Sequence, residues 1–151
     1  FTDARGAQRW TCVAPGEVSL LAIKDAPGSG MELVRFVKKI SIESGARQSV
    51  DLTWPQMIQL EVDIRAHDGA ILRTTVGPTF EARELSGFDG FTALGHRPSR
   101  NSRGTDPWIL DAPAGCTGTL HVHSFPGKEL EVAVDIGSTS PQRVVVRAQK
   151  K

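Results

Sequence analysis

The chain has 151 residues, 39% of them hydrophobic and 23% charged, with a formal net charge of +1. That length holds one ordinary domain or two small ones, and that composition belongs to a folded globular chain rather than a disordered one. The charge is too small for nucleic-acid binding by bulk attraction, and apolar runs of only a few residues exclude a transmembrane helix.

Near the N-terminus, Thr2-Asp3-Ala4-Arg5-Gly6 leads to Trp10 and Cys12 and then to Ala14-Pro15-Gly16, a turn in which Pro presets φ and Gly frees it. An apolar strand carrying Leu21 and Ile23 follows, closed by Pro27-Gly28-Ser29-Gly30. Residues 31–42 are the one helix-length candidate, but the pairs Val34-Phe36 and Ile40-Ile42 suit a strand bent around Lys38-Lys39. Val50, Leu52 and Trp54 alternate with other residues as a further strand ending before Pro55. Leu60, Val62 and Ile64 alternate with Glu61, Asp63 and Arg65, the period-two pattern of a strand with one wet face. The Asp68-Gly69 turn separates it from strands over 71–76 and 79–83, with Gly77-Pro78 between those two. Residues 85–107 read as a long loop rich in Gly, Ser and Arg. A strand over 107–110, the turn Pro113-Ala114-Gly115, a strand with Leu120 and Val122 and the turn Pro126-Gly127 come next. Val132, Val134 and Ile136 form another alternating strand, and Val144-Val145-Val146 is a continuous run suited to a central one. Many short strands with turn residues between them predict an all-β sandwich or barrel.

Two portions of the chain are similar to each other. Arg5-Gly6 and Trp10 align with Arg103-Gly104 and Trp108, and Ala14-Pro15-Gly16 aligns with Ala112-Pro113-Ala114-Gly115 with one inserted residue. Leu21 and Ile23 then fall on Leu120 and Val122, and Gly30-Met31-Glu32-Leu33 on Gly127-Lys128-Glu129-Leu130. The segment from Met57 to Arg103 has no counterpart ahead of Arg5, so the chain opens in the middle of a repeat. It begins at Phe1 rather than Met, as expected of a trimmed or processed chain, and no basic start leads into an apolar stretch as in a signal peptide.

The order Thr2-Asp3-x-Arg5-Gly6, a Trp strand, Ala14-Pro15-Gly16 and an apolar strand resembles the second half of carboxypeptidase regulatory-like domains. Those domains are transthyretin-like (prealbumin-like) sandwiches, a group that includes the B-type repeats of bacterial surface adhesins. The resemblance implies an all-β, transthyretin-like (Ig-like) antiparallel β-sandwich. It places a partial repeat, its second half, over residues 1–55 and a complete one over residues 56–151. The later copy departs from the pattern in having Arg103-Gly104-Thr105 without a preceding Thr-Asp. A half repeat exposes an apolar face and unpaired edges, so residues 1–54 either pack against the complete copy or are completed by strands from upstream.

Candidate sites compete with plainer roles. Trp10 and Trp108 share a repeat position, which points to repeated core packing rather than a glycan-stacking platform. Pro15, Gly16, Pro113 and Gly115 are structural turn residues, and Trp54 is the tryptophan placed for exposure, at the junction of the two copies. His96, Arg97, Arg100 and Arg103 make the long loop basic, suited to an anionic glycan, a phosphate or an acidic protein surface through Arg forks. The alternative is a solvated loop with no ligand. His121 and His123 point to one strand face about 7 Å apart and could hold Zn²⁺ or Cu²⁺ with His67, His96 or a carboxylate from a neighbour. The alternative is two histidines on a polar sheet face, with no third ligand indicated by spacing. Cys12 and Cys116 either join the two copies by a disulfide or remain separate thiols.

Catalytic arrangements are missing from the sequence: no Gly-x-Ser-x-Gly elbow, no His-Glu-x-x-His helix and no Gly-rich phosphate loop. The Tyr/His iron site of intradiol dioxygenases, which share a related sandwich, needs the tyrosine this chain lacks. The C-terminus ends Arg147-Ala148-Gln149-Lys150-Lys151, not the Tyr-Arg-Gly-Ser of hydroxyisourate hydrolases. A Lys–Asn isopeptide of the adhesin type needs an Asn in the last strand, whereas Asn101 lies in the loop. The expected function is a non-enzymatic structural or adhesion-type module, without cofactor, of a larger surface or secreted protein in the extracellular space or cell envelope. Its expected partners are neighbouring domains of the same polypeptide, or a glycan or acidic surface at residues 96–103, with no nucleic acid and no membrane insertion.

Overall fold

Alternating apolar side chains build the architecture. Ile58, Leu60, Val62 and Ile64 are all buried, and so are Trp108, Leu110 and Ala112 one strand over. The computed structural model describes residues 13–25, 32–72, 74, 76–97, 106–124 and 128–148. Within them the chain forms nine strands and no helix. These are β1 Gly16–Asp25, β2 Glu32–Ile42, β3 Met57–Arg65, β4 Thr79–Leu85, β5 Phe88–Leu94, β6 Trp108–Pro113, β7 Thr117–Ser124, β8 Lys128–Asp135 and β9 Gln142–Arg147.

The strands make two sheets, a six-stranded one in the order β1-β2-β5-β4-β7-β8 and a three-stranded one in the order β6-β3-β9. The chain changes sheet between β2 and β3, β3 and β4, β5 and β6, β6 and β7, and β8 and β9. The inner faces share one core, with Phe36, Phe80 and Leu120 from the large sheet and Leu60, Val62 and Leu110 from the small one almost entirely buried. Burying a side chain of this size is worth about 1.5–3 kcal/mol, so this shared face is the main source of stability.

The β1–β2 hairpin belongs to that same block. β2 pairs with β5 from Val34 to Val37, and Val34 and Phe36 join the core. Phe36 is 4.7 Å, centroid to centroid, from each of Trp54, Phe88 and Phe91. Beyond Val37 the β5 side of β2 is closed differently, by Lys39 N–H donating to the Asp89 carboxylate at 2.6 Å.

Several expectations are corrected. The pairing is antiparallel except between β3 and β9, which run parallel. β9 arrives there by crossing from the large sheet, and it is an edge strand, not a central one: Val146 is buried but Val145 is 46% exposed. Val50, Leu52 and Trp54 form no strand: residues 46–55 cross between sheets, and among the described residues no strand pairs with them. Of residues 71–76, Ile71 makes an isolated bridge to Arg65, and 73 and 75 lie outside the described residues. Within the expected 85–107 loop, β5 forms instead. Its buried Phe88 and Phe91 are three apart and break the alternation that marks a strand. The reading of residues 31–42 as strand rather than helix holds, since β2 covers Glu32–Ile42 and pairs regularly with β1 from Val34 to Ile42.

Truncating Phe36 tests whether the N-terminal hairpin folds with the rest. Phe36→Ala is expected to cost about 3–5 kcal/mol. Urea unfolding followed by far-UV circular dichroism and by tryptophan fluorescence should still coincide in one transition at a lower midpoint.

Candidate functional site

At one end of the core the backbones of two connections touch. Gly95 N–H donates to Pro78 C=O at 2.7 Å, and a Cβ on Gly77 would fall into the Gly95 carbonyl, beside the Trp108 ring. Only glycines allow this approach. It delivers His96 next to β6, where His96 and Ile109 exchange both backbone hydrogen bonds at 2.8 Å.

Trp108 is the centre of this end. Its indole is buried, and Nε1–H donates to Thr74 Oγ1 at 3.0 Å. The Arg97 guanidinium carbon lies 4.3 Å from the centroid of the ring, a cation–π stack. Among the described residues no carboxylate is in ion-pair range of Arg97, and the buried atoms Arg97 Nε and His96 Nδ1 have no hydrogen-bond partner. A guanidinium stacked on an indole keeps its N–H groups in the plane, available to a carboxylate, sulfate or phosphate. Arg100 and Arg103 lie outside the described residues, as do Trp10 and Cys12.

The histidines occupy a different face. Alternation puts His121 and His123 on the outer surface of the large sheet, away from the small sheet that carries His96 and the exposed His67 turn. His121 is surrounded by carboxylates from both neighbouring strands: Glu81 on β4 is 3.8 Å from Nε2, and Glu129 and Glu131 on β8 are 3.2 and 3.7 Å from Nδ1. No group of three or more His, Cys, Asp or Glu among the described residues is arranged to hold a metal ion. The cluster is a polar cross-strand contact between β4, β7 and β8.

A second charged group lies on the outer face of the small sheet. Asp63 is buried there, accepting from Arg143 Nε at 3.1 Å and from Arg143 Nη2, with Arg65 Nη2 at 3.5 Å. The hydrogen bond to Asp63 and then its charge push the exposed Arg143 guanidinium further above its ordinary range. This pair ties edge strand β9 to β3.

The turn residues sit at sheet entries. Gly16 and Gly115 both have positive φ, 129° and 72°, and follow Pro15 and the buried Pro113. Cys116 is a free, half-buried thiol at the start of β7, and burial pushes it above its ordinary value of 9.0.

Thr74, Glu81, Glu129, Glu131 and the Asp63–Arg143 pair were not singled out from the sequence. Their contacts depend on strand order, and no local spacing signals it. Comparison with models of known protein families, with curated proteins and with solved structures finds no match to this chain.

Two measurements check the site. Thr74→Val leaves the buried Trp108 N–H unpaired and should cost about 1–3 kcal/mol in urea unfolding. The raised Cys116 pKa means that the unfolded chain loses its thiol proton first, so the Cys116 contribution to stability falls as pH rises through about 9. Cys116→Ala should remove that part of the alkaline decline, and alkylation of native Cys116 near pH 8 should be slower than in the urea-unfolded chain.

Proposed function

We propose that this chain is a non-enzymatic structural or adhesion-type module of a larger surface or secreted protein. It resembles the transthyretin-like, carboxypeptidase regulatory-like sandwiches and spaces or presents neighbouring domains outside the cell or in its envelope. The observation that carries the reading is the paired use of one turn signature. Pro15-Gly16 and Pro113-Ala114-Gly115 each lead into an antiparallel hairpin of the large sheet, β1–β2 and β7–β8, through a glycine at positive φ. The aligned pairs Leu21/Ile23 and Leu120/Val122 differ in burial, the former being exposed and the latter buried. The Asp63–Arg143 ion pair and the polar His121–Glu129 contact join strands, as a stiff spacer needs.

Pulling on the two ends of the chain in a single-molecule force experiment tests this. A spacer should give one cooperative extension that includes the β1–β2 hairpin. Early, separate loss of that hairpin at low force would count against the reading.

The Arg97 guanidinium, stacked on Trp108 with no carboxylate in ion-pair range among the described residues, favours a second reading, a glycan- or anion-binding module using residues 96–103. An array of neutral and sulfated glycans separates the two. Signal that vanishes when Arg97, Arg100 and Arg103 are changed to Ala supports binding, and silence leaves the spacer.

A further inference from the structure

Edge strands expose unpaired N–H and C=O groups and are usually blunted. Three of the four edges here are protected. β6 is covered by the His96 bridge, β8 carries exposed Glu129, Glu131 and Asp135, and β9 carries the exposed Arg143 and Arg147. β1 differs. It is ten residues long, nothing among the described residues pairs with its outer side, and its central Val18–Ile23 stretch has no charge and no proline. Leu21 and Ile23 are 55% and 46% exposed on the outer face, and Val18, Leu20 and Ala22 are half-buried on the inner one.

We propose that the β1 edge pairs antiparallel with β1 of a second copy of this chain, about a two-fold axis at Leu20, joining two large sheets into one.

The strand is complementary to itself in one register. A two-fold axis through a continuous sheet keeps inner faces together, so a residue can face only one of the same parity. Pairing about Leu20 sets Leu20 against Leu20 and Val18 against Ala22 on the inner face, and Leu21 against Ser19 on the outer. Shifting the axis to Leu21 sets Val18 against Lys24 and Glu17 against Asp25, an apolar residue opposite a lysine and a like-charge pair. A parallel arrangement would bring Glu17 beside Glu17 and Lys24 beside Lys24. The main-chain ladder supplies the attraction, and the half-buried apolar row that each copy leaves open is closed by the other.

Sedimentation velocity of the whole chain under reducing conditions, over a concentration series, tests the pairing. Wild type should pass from monomer to dimer. Ser19→Lys with Leu21→Lys places like charges opposite each other and should weaken the dimer at least about tenfold, with an unchanged thermal melt of the monomer. Ser19→Glu with Leu21→Lys places opposite charges face to face only in the Leu20 register and should restore it. A wild type that stays monomeric throughout, because another segment or another protein covers this edge, overturns the proposal. So does a dimer indifferent to the two lysines, or one that the Glu/Lys pair fails to restore.

Discussion

A row of aromatic rings across three neighbouring strands is the contact on which this structure depends. Phe36 on β2 lies opposite Phe91 on β5, and Phe91 lies 6.1 Å from Phe80 on β4. Each ring is buried against the small sheet, and Phe36 also meets Phe88 and Trp54. Rings at this spacing contribute beyond their area. Their greater consequence is topological: β2 pairs with β5 over only four positions, and Phe36 fixes that short seam. Without it the N-terminal hairpin would be a two-stranded ribbon, which is marginal in water by itself.

The same economy governs the connections. Where the chain crosses between sheets, side chains take over the role of a ladder. Gln142 accepts from Gly137 N–H at 2.8 Å and donates to Asp135 C=O at 2.7 Å, and so clamps the passage from β8 to β9. Gly115 N–H donates to Ile136 C=O and Ile136 N–H to Cys116 C=O, holding that passage against the β6–β7 turn. Gly118 lies where a Cβ would strike the Phe80 ring, so a side chain is excluded at the point where β7 meets the aromatic row.

Strands with strict alternation were legible in the residues. Leu60-Val62-Ile64, Leu120-Val122 and Val132-Val134 each sit in the strand their period implies, with Ile136 buried just past the end of β8. Failures came where alternation and hydrogen-bonding opportunity part company. Val50-Leu52-Trp54 alternates but has no neighbour, while β5 has neighbours on both sides and no clean alternation because Phe88 and Phe91 are out of phase. Val144-Val145-Val146 looks central by composition, yet a run buried on both faces needs cover on both, and Val145 has none. The candidate site divides similarly. His96, Arg97 and Trp108 drew attention as residue types, but the stacking of Arg97 on Trp108 and the Thr74 acceptor depend on which connections meet at Gly77 and Gly95.

Unequal sheet size explains the remaining surface. Three strands cannot cover six, so the outer strands of the large sheet must keep part of their inner faces near water. At β8 this is absorbed within the chain: Leu130 and Val132 are half-buried, Val134 is buried, and acidic residues occupy the outer face. β1 has half-buried Val18, Leu20 and Ala22 inside and exposed Leu21 and Ile23 outside, so its outer face carries large apolar residues where that of β8 carries acids. Two edges of one sheet that meet the same geometric shortfall with opposite chemistry have different neighbours. β8 is finished as a surface facing water, and β1 as a strand awaiting another strand.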